Sequence, residues 1–148
     1  MPTSRAIAQT PSAAESPSLD ESSEVDSRLF LAGMEDPEEV RAFLANLRQS
    51  AVMRGSRQAR LRQRQALVAM VRYPFTTYDE PGVPGVTYHR PEALLRDFER
   101  VFTPPVLNAM RHAQYEELFI NGQGAMISDG RVWFDQREDG IKIKAINP

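Results

Sequence analysis

The chain lacks cysteine altogether and holds only two histidines among its 148 residues. Without thiols it has neither a disulfide framework nor a thiolate metal site, and this absence fits a reducing or an oxidising compartment equally well. His89 and His112 are the only side chains whose ordinary pKa lies near neutrality. The sequence contains no HExxH or CxxC pattern, so it predicts neither a metal site nor a cofactor.

Long apolar runs are also missing. No stretch of the sequence approaches the roughly 18 consecutive apolar residues that a membrane span needs. The overall content, 41% hydrophobic and 26% charged residues, is typical of a globular protein, and the length suits one domain with its ends. We therefore expect a single folded domain without a membrane span.

Lysine is nearly absent, and the charges that remain are strongly segregated. Only Lys142 and Lys144 stand beside the arginines. Residues 1–39 have a net charge of −7, residues 40–78 one of +8, and residues 79–148 one of −3. Such segregation indicates a charged surface for a partner, or an N-terminal part that lies against its own domain.

The N-terminal part is rich in Ser, Ala, Pro and acidic residues. Because few of these residues can bury apolar area, we expect residues 1–27 to form a disordered tail and residues 28–148 to form one α+β domain. Ala6-Ile7-Ala8 matches the small-x-small pattern of a signal-peptidase site. A cleaved signal also needs a basic and an apolar segment, which would be encoded upstream and in frame. The pattern thus predicts a periplasmic or secreted protein; a chance match, with a cytoplasmic protein, is the alternative.

Helical signals dominate the first half of the domain. Asp36 is a candidate N-cap, Pro37 stands at the first helical position, and Glu39 completes a capping-box pattern. An apolar stripe at helical spacing then contains Val40, Phe43, Leu44, Leu47 and Ala51. Gly55 is the expected C′ residue. A second helix is predicted for residues 56–72, with a start that is polar nearly all round.

Short extended segments and further helices follow in the middle of the chain. Residues 73–78 and 86–89 are predicted to be extended on either side of a Pro/Gly-rich loop. Pro91 and Pro104 each open a further helix. With a strand-rich C-terminal part, this order predicts an α+β fold, in which N-terminal helices pack on a curved, cone-like antiparallel sheet.

The C-terminal part carries a strong hairpin signal, Asp129-Gly130, which favours a two-residue type I′ turn. Such a turn pairs Ile127 with Val132, Met126 with Trp133 and Ala125 with Phe134. If the next loop holds the four residues 137–140, the following strand pairs Phe134 with Ile143, Asp135 with Lys142 and Trp133 with Lys144.

Alternation along these strands then separates two faces of the sheet. The apolar face, which we expect to pack on the helices, contains Ala125, Ile127, Val132, Phe134, Ile141, Ile143 and Ala145. The mixed face contains Met126, Trp133, Asp135, Lys142, Lys144 and Ile146.

Three segments, residues 72–75, 98–103 and 117–134, together with the order of elements over residues 36–147, carry a resemblance. The chain resembles the nuclear transport factor 2-like (cystatin-like cone) superfamily, and more narrowly small exported proteobacterial proteins of that shape. The resemblance implies a curved sheet and helices around a cone-shaped pocket, often in a dimer. Some members of that superfamily are isomerases or dehydratases with Asp/His pairs, and many only bind. It therefore implies a fold and no particular reaction.

The mixed sheet face is the first candidate for function. Trp133 and Met126 form an apolar centre, bordered by Asp135, Lys142 and Lys144. This is the composition of an interface or ligand platform, so we expect it to bind a protein partner or a small apolar ligand, a homodimer being one form. In the structural alternative, the lysine stems simply cover the indole.

The second candidate is a charged helix surface, formed by Arg57, Arg60, Arg62 and Arg64. It is either a solvated helix face or one that holds an acidic partner or the acidic N-terminal part. The acidic pI of about 5.7 and the lack of an aromatic platform argue against nucleic-acid binding.

For catalysis the sequence offers only a histidine meeting a carboxylate such as Asp135, as in a small isomerase or dehydratase. Neither His89 nor His112 stands in a catalytic motif, so no residue is predicted to be catalytic. We therefore predict a non-catalytic accessory or binding domain of the cell envelope. The alternatives are the pocket enzyme and an immunity or inhibitor protein.

Overall fold

The computed structural model describes residues 18–80, 82–128 and 130–148, without the side chains of residues 18–21 and 79. Its helices are α1 (Ser18–Arg28), α2 (Pro37–Ser50), α3 (Arg57–Ala69), α4 (Pro91–Arg96), α5 (Phe98–Val101) and α6 (Pro104–Arg111), with 3-10 turns at Leu29–Ala32 and Tyr115–Glu117. Its strands are β1 (Phe75–Glu80), β2 (Val83–Tyr88), β3 (Phe119–Asn121), β4 (Gly124–Ile127), β5 (Val132–Arg137) and β6 (Gly140–Ile146). Helices combined with antiparallel sheets confirm the α+β class; the cone-like curvature stays a prediction.

Helix α1 overturns the predicted boundary between tail and domain. The helix begins at Ser18, within the predicted tail, and buries Val25. Burial raises the pKa of the Tyr115 hydroxyl, which donates a hydrogen bond to the Asp26 carboxylate. A short helix of weak propensity is stabilised mainly by such tertiary contacts, which composition does not reveal. Residues 1–17, with the candidate cleavage motif, lie outside the described residues.

Helix α2 begins where the sequence predicted and ends earlier. The Asp36 carboxylate accepts a hydrogen bond from the Glu38 N–H at 2.9 Å. The capping box predicted with Glu39 is therefore wrong, although Asp36 is the N-cap. The buried residues of the predicted stripe are Val40, Leu44, Leu47 and Ala51. Because the helix ends at Ser50, Gly55 is not its C′ residue; its φ of 95° belongs to the turn before α3.

Helix α3 is amphipathic only in its second half. Ser56 caps it by accepting a hydrogen bond from the Ala59 N–H at 3.1 Å. Leu67 and Val68 are its buried residues. The segment after α3 runs alongside the main sheet, because Val71 forms a parallel bridge with Ile143. Strands β1 and β2 then form a separate two-stranded antiparallel sheet.

The main sheet has the strand order β3-β4-β5-β6, and all three pairs are antiparallel. The predicted register of the β4–β5 hairpin is confirmed: Ala125 opposes Phe134, Met126 opposes Trp133 and Ile127 opposes Val132. Asp129 itself lies outside the described residues. In the next pair, Phe134 opposes Ile143 and Asp135 opposes Lys142, as predicted. Pairing continues to Arg137 and Gly140, so the loop is two residues long instead of four.

A β-bulge corrects the last part of the predicted register. Trp133 opposes Ala145 rather than Lys144, because the register shifts between Trp133 and Phe134. An extra residue in one strand inverts the alternation beyond it. Ile146, predicted on the mixed face, is consequently buried opposite Val132. Ala145, predicted on the apolar face, lies half-buried beside Trp133.

The core lies between the helices and one face of the main sheet, here called the inner face. The ladder across this face consists of Ile120, Ala125, Phe134 and Ile143, and all four are buried. The ring of Phe134 lies 4.8 Å from that of Phe43 on α2, centroid to centroid. Helix α2 therefore covers the inner face, and the side chains of the alternate positions point to the opposite, outer face.

Candidate binding surface on the outer sheet face

Cross-strand pairing places three large apolar side chains side by side on the outer face. Phe119 on β3 opposes Met126 on β4, which in turn opposes Trp133 on β5. Directly opposed side chains lie about 4.5–5.5 Å apart at Cβ, so Met126 is in reach of Phe119 on one side and of Trp133 on the other. We call Phe119, Met126 and Trp133 the outer strip. Phe119 is 50% exposed and the other two are half-buried.

Gly130 lies directly beneath two residues of the outer strip, Trp133 and Met126. A Cβ atom added to it would lie 3.4 Å from the Trp133 Nε1 and 3.5 Å from the Met126 Sδ. The indole and the thioether therefore both reach over this glycine, whose φ of 87° already disfavours other residues. The glycine of the hairpin turn therefore leaves room for the Trp133 indole to pack over the turn.

The 3-10 turn Leu29–Ala32 carries two further exposed apolar residues. This turn packs against β3 and β4 and buries Leu29 and Ala32. Its two middle residues, Phe30 and Leu31, remain exposed. Sequence reasoning missed them and Phe119, although alternation from the buried Ile120 predicts Phe119 on the outer face.

The charged residues predicted to border this surface form ion pairs and hydrogen bonds with other groups of the chain. The Asp135 carboxylate is buried and forms an ion pair with the Arg72 guanidinium. The other carboxylate oxygen of Asp135 lies 3.5 Å from the Arg137 Nε and 3.7 Å from the Lys144 Nζ. Asp135 is therefore the centre of an ion cluster and not part of an exposed rim.

Arg72, which was not among the predicted site residues, is the principal partner in this cluster. Its guanidinium donates two hydrogen bonds to the Asp139 carboxylate, at 2.9 and 3.2 Å, and one to the Gly140 carbonyl at 3.1 Å. The hydrogen bond from Arg72 lowers the pKa of the Asp139 carboxyl. These contacts tie the β5–β6 loop to the segment that follows α3.

Both lysines of the predicted site satisfy backbone carbonyl groups. Lys142 Nζ donates to the Ala69 carbonyl at 3.2 Å, at the end of α3, where a cation is favourable. Lys144 Nζ donates to the Gln123 carbonyl at 2.6 Å. Of the five residues predicted for this site, the charged ones, Asp135, Lys142 and Lys144, make contacts within the fold. The other two, Met126 and Trp133, remain partly exposed on the outer face.

The four predicted arginines of α3 differ in their surroundings. Arg64 forms an ion pair with Glu99 at 3.1 Å, and its guanidinium lies 4.7 Å above the centre of the Phe98 ring. Arg60 donates to the Gly55 carbonyl at 2.8 Å. Arg57 and Arg62 are exposed.

The histidines do not meet the predicted carboxylate. His112 Nδ1 lies 2.8 Å from the Asn108 carbonyl oxygen, and His89 is exposed. His112 lines a hollow of about 190 Å³ with Glu117 and Ser128, below the roughly 300–1,000 Å³ of typical ligand pockets. Asp135, the carboxylate named in the enzyme alternative, has Arg72, Arg137 and Lys144 as its basic partners among the described residues, and neither histidine is one of them.

Within the described ranges, no group of three or more His, Cys, Asp or Glu side chains is placed to hold a metal ion. No helix in the described part of the chain is long and apolar enough to cross a membrane.

The likeness to the nuclear transport factor 2-like superfamily stays a prediction: no protein-family model, curated protein or solved structure matches the chain.

Proposed function

We propose that the chain is a non-catalytic binding domain and that the outer strip is its binding surface. The observation that carries this proposal is the alignment of Phe119, Met126 and Trp133 across three strands, on the face turned away from α2. Aromatic and methionine side chains that stay partly exposed on a sheet are costly to leave in water and are readily buried by a partner.

The chemistry of the strip favours a protein as the partner. Trp, Phe and Met are enriched in the centres of protein interfaces, where a few of them supply most of the binding free energy. Phe30 and Leu31 are also exposed, on the turn that packs against β3 and β4. The simplest partner is a second copy of the chain, with the two outer faces packed together.

Trp133 is the single tryptophan of the chain, so its fluorescence reports directly on the strip. In a dilution series we expect the emission maximum to move to shorter wavelength as concentration rises and the indole becomes buried. Phe119→Ser should abolish this shift. Val83→Ser is the matched control, because Val83 is 51% exposed and Phe119 is 50% exposed, but Val83 lies on β2 of the other sheet.

Sedimentation equilibrium gives the energetic counterpart. We expect Trp133→Ala to weaken association by about 2 kcal/mol, the scale of an interface hot spot. Equal behaviour of the Phe119→Ser and Val83→Ser variants would contradict the strip as the binding surface. A wild-type protein that stays monomeric, with unchanged emission at every concentration, would remove the second copy as the partner.

We further propose that this binding takes place in the cell envelope, in the periplasm or outside the cell. The support is Ala6-Ile7-Ala8, followed by a polar segment. Expression from the native locus should place the protein in the periplasmic or secreted fraction, with Gln9 as its first residue by mass spectrometry. An uncleaved chain in the cytoplasmic fraction would contradict this location.

A further inference from the structure

The N-terminal half of α3 carries arginines on the same side that the C-terminal half buries. Residues on a helix that are three, four and seven positions apart share one face. Followed back from the buried Leu67 and Val68, this face carries Arg64, Leu61, Arg60 and Arg57. Arg62 lies on another side of the helix. One face of α3 is therefore buried in the core at the C-terminal end of the helix and exposed at the N-terminal end.

Two arginines from the next helices face this extension. A hollow of about 380 Å³ is lined by Arg64 of α3 and by the five residues from Arg96 to Arg100, at the turn between α4 and α5. Its two carboxylates already have partners within the chain: Asp97 accepts a hydrogen bond from the Tyr88 hydroxyl at 2.9 Å, and Glu99 pairs with Arg64. We call Arg57, Arg60, Leu61, Arg64, Arg96 and Arg100 the basic overhang. The hollow itself, which Arg57, Arg60 and Leu61 do not line, has a volume within the roughly 300–1,000 Å³ of ligand pockets. Sequence reasoning found the α3 arginines and missed the other two, which are more than 30 residues away along the chain.

The positive charge of the basic overhang is largely unneutralised. Among the described residues, no carboxylate oxygen lies within 4.0 Å of the guanidinium of Arg57, Arg96 or Arg100. Arg64 is paired with Glu99, whose side chain is 81% exposed. Such an exposed pair is weak and is easily exchanged for another carboxylate. The surface therefore attracts an anionic partner.

We propose that the basic overhang binds an acidic segment of a partner protein, with an apolar side chain of that segment packed on Leu61. Arginine suits carboxylates because its planar group donates two parallel hydrogen bonds to them. Leu61 is 45% exposed between these arginines, which favours a segment that mixes acidic and apolar residues. A nucleic acid fits less well, because Phe98 is buried beneath Arg64 and offers no ring for a base to stack on.

Fluorescence anisotropy with a labelled synthetic peptide tests this proposal. The probe is a helical peptide rich in glutamate with one leucine in each turn. Arg57→Glu and Arg100→Glu should each weaken its binding about tenfold or more, since each replaces attraction with repulsion. The matched control is Arg28→Glu, the same charge change at an exposed position of α1, which should alter binding by about twofold at most. Raising the salt concentration through about 0.1 M should weaken wild-type binding.

Two further probes separate an acidic protein segment from other polyanions. Leu61→Gln should weaken binding of the peptide about threefold and leave unchanged the binding of a peptide whose leucines are replaced by glutamine. A labelled oligothymidylate should bind more weakly than the acidic peptide. Tighter binding of oligothymidylate, an unaltered affinity in Leu61→Gln, or an equal loss in Arg28→Glu would each overturn the proposal. Circular dichroism confirms that each variant is folded before its affinity is measured.

Discussion

Trp133 and Phe134 are neighbours in the sequence, and their truncation to alanine should have very different effects on stability. Phe134 is fully buried, and its ring packs 4.8 Å from that of Phe43. Phe134→Ala removes the ring and leaves a cavity, so we expect a loss of about 3–5 kcal/mol. Trp133 lies half-buried over Gly130 and Met126. Trp133→Ala removes fewer buried contacts, so we expect a loss of about 1–2 kcal/mol.

Urea unfolding followed by circular dichroism measures both losses. Fluorescence does not serve here, because Trp133→Ala removes the only tryptophan. A shift of the midpoint at constant slope identifies a change in stability rather than in the unfolded state. The larger loss is a substantial part of the roughly 5–15 kcal/mol that stabilise a domain, and should lower the Tm of Phe134→Ala by on the order of 10 °C.

Two outcomes would refute this reasoning. If Trp133→Ala destabilises the protein as much as Phe134→Ala does, the indole belongs to the core and the outer strip is not available to a partner. If Phe134→Ala costs less than about 1 kcal/mol, Phe134 lies on the surface and the two faces are assigned the wrong way round.

Three further predictions concern polar contacts that hold the fold. Arg72 lowers the pKa of Asp139 in the folded state. The ionised carboxylate therefore stabilises the fold at any pH above the pKa of Asp139 in the unfolded chain. This stabilisation is lost as the pH falls through the lower pKa of Asp139 in the folded protein. Asp139→Asn should therefore be less stable than wild type at neutral pH, and urea unfolding at stepwise lower pH should show the difference shrinking below about pH 4. Arg72→Met leaves the buried Asp135 without its main partner, so urea unfolding should show a loss of about 3 kcal/mol, with a smaller loss in the double variant Arg72→Met/Asp135→Leu; equal losses would contradict the pairing. Asp36→Ala should cost about 1 kcal/mol in thermal melts by removing the N-cap of α2, whereas Asp36→Asn should keep most of it.

The register of the main sheet was predictable because one turn and one alternation determine it. The Asp129-Gly130 signal fixed the pairing of Met126 with Trp133, and alternation carried it as far as Phe134 and Ile143. The bulge beyond them arises because the last strand accommodates one extra residue. No particular residue type predicts where such an extra residue will lie. Alternation along the strand therefore could not predict that Ile146 lies on the inner face of the sheet.

The parts of the candidate sites that sequence reasoning missed depend on long-range contacts. Helix α1 has the composition of a disordered segment, and its burial of Val25 and its hydrogen bond to Tyr115 involve partners far along the chain. Arg72 likewise meets carboxylates that are 63 and 67 residues away. Phe119 was within reach, since the alternation that buries Ile120 puts its neighbour on the outer face.

The parallel bridge between Val71 and Ile143 bears on the order in which the protein folds. Its two backbone hydrogen bonds, from Arg72 N–H to the Ile143 carbonyl and from Ile143 N–H to the Met70 carbonyl, close a loop of about half the chain. Closing a loop of that length costs about 4 kcal/mol of chain entropy, so the local β-meander is expected to form first. Hydrogen exchange at the Ile143 amide then measures how firmly the end of α3 is held to the sheet. A ligand bound to α3 that slows this exchange would be strengthening the contact between the end of the helix and the sheet.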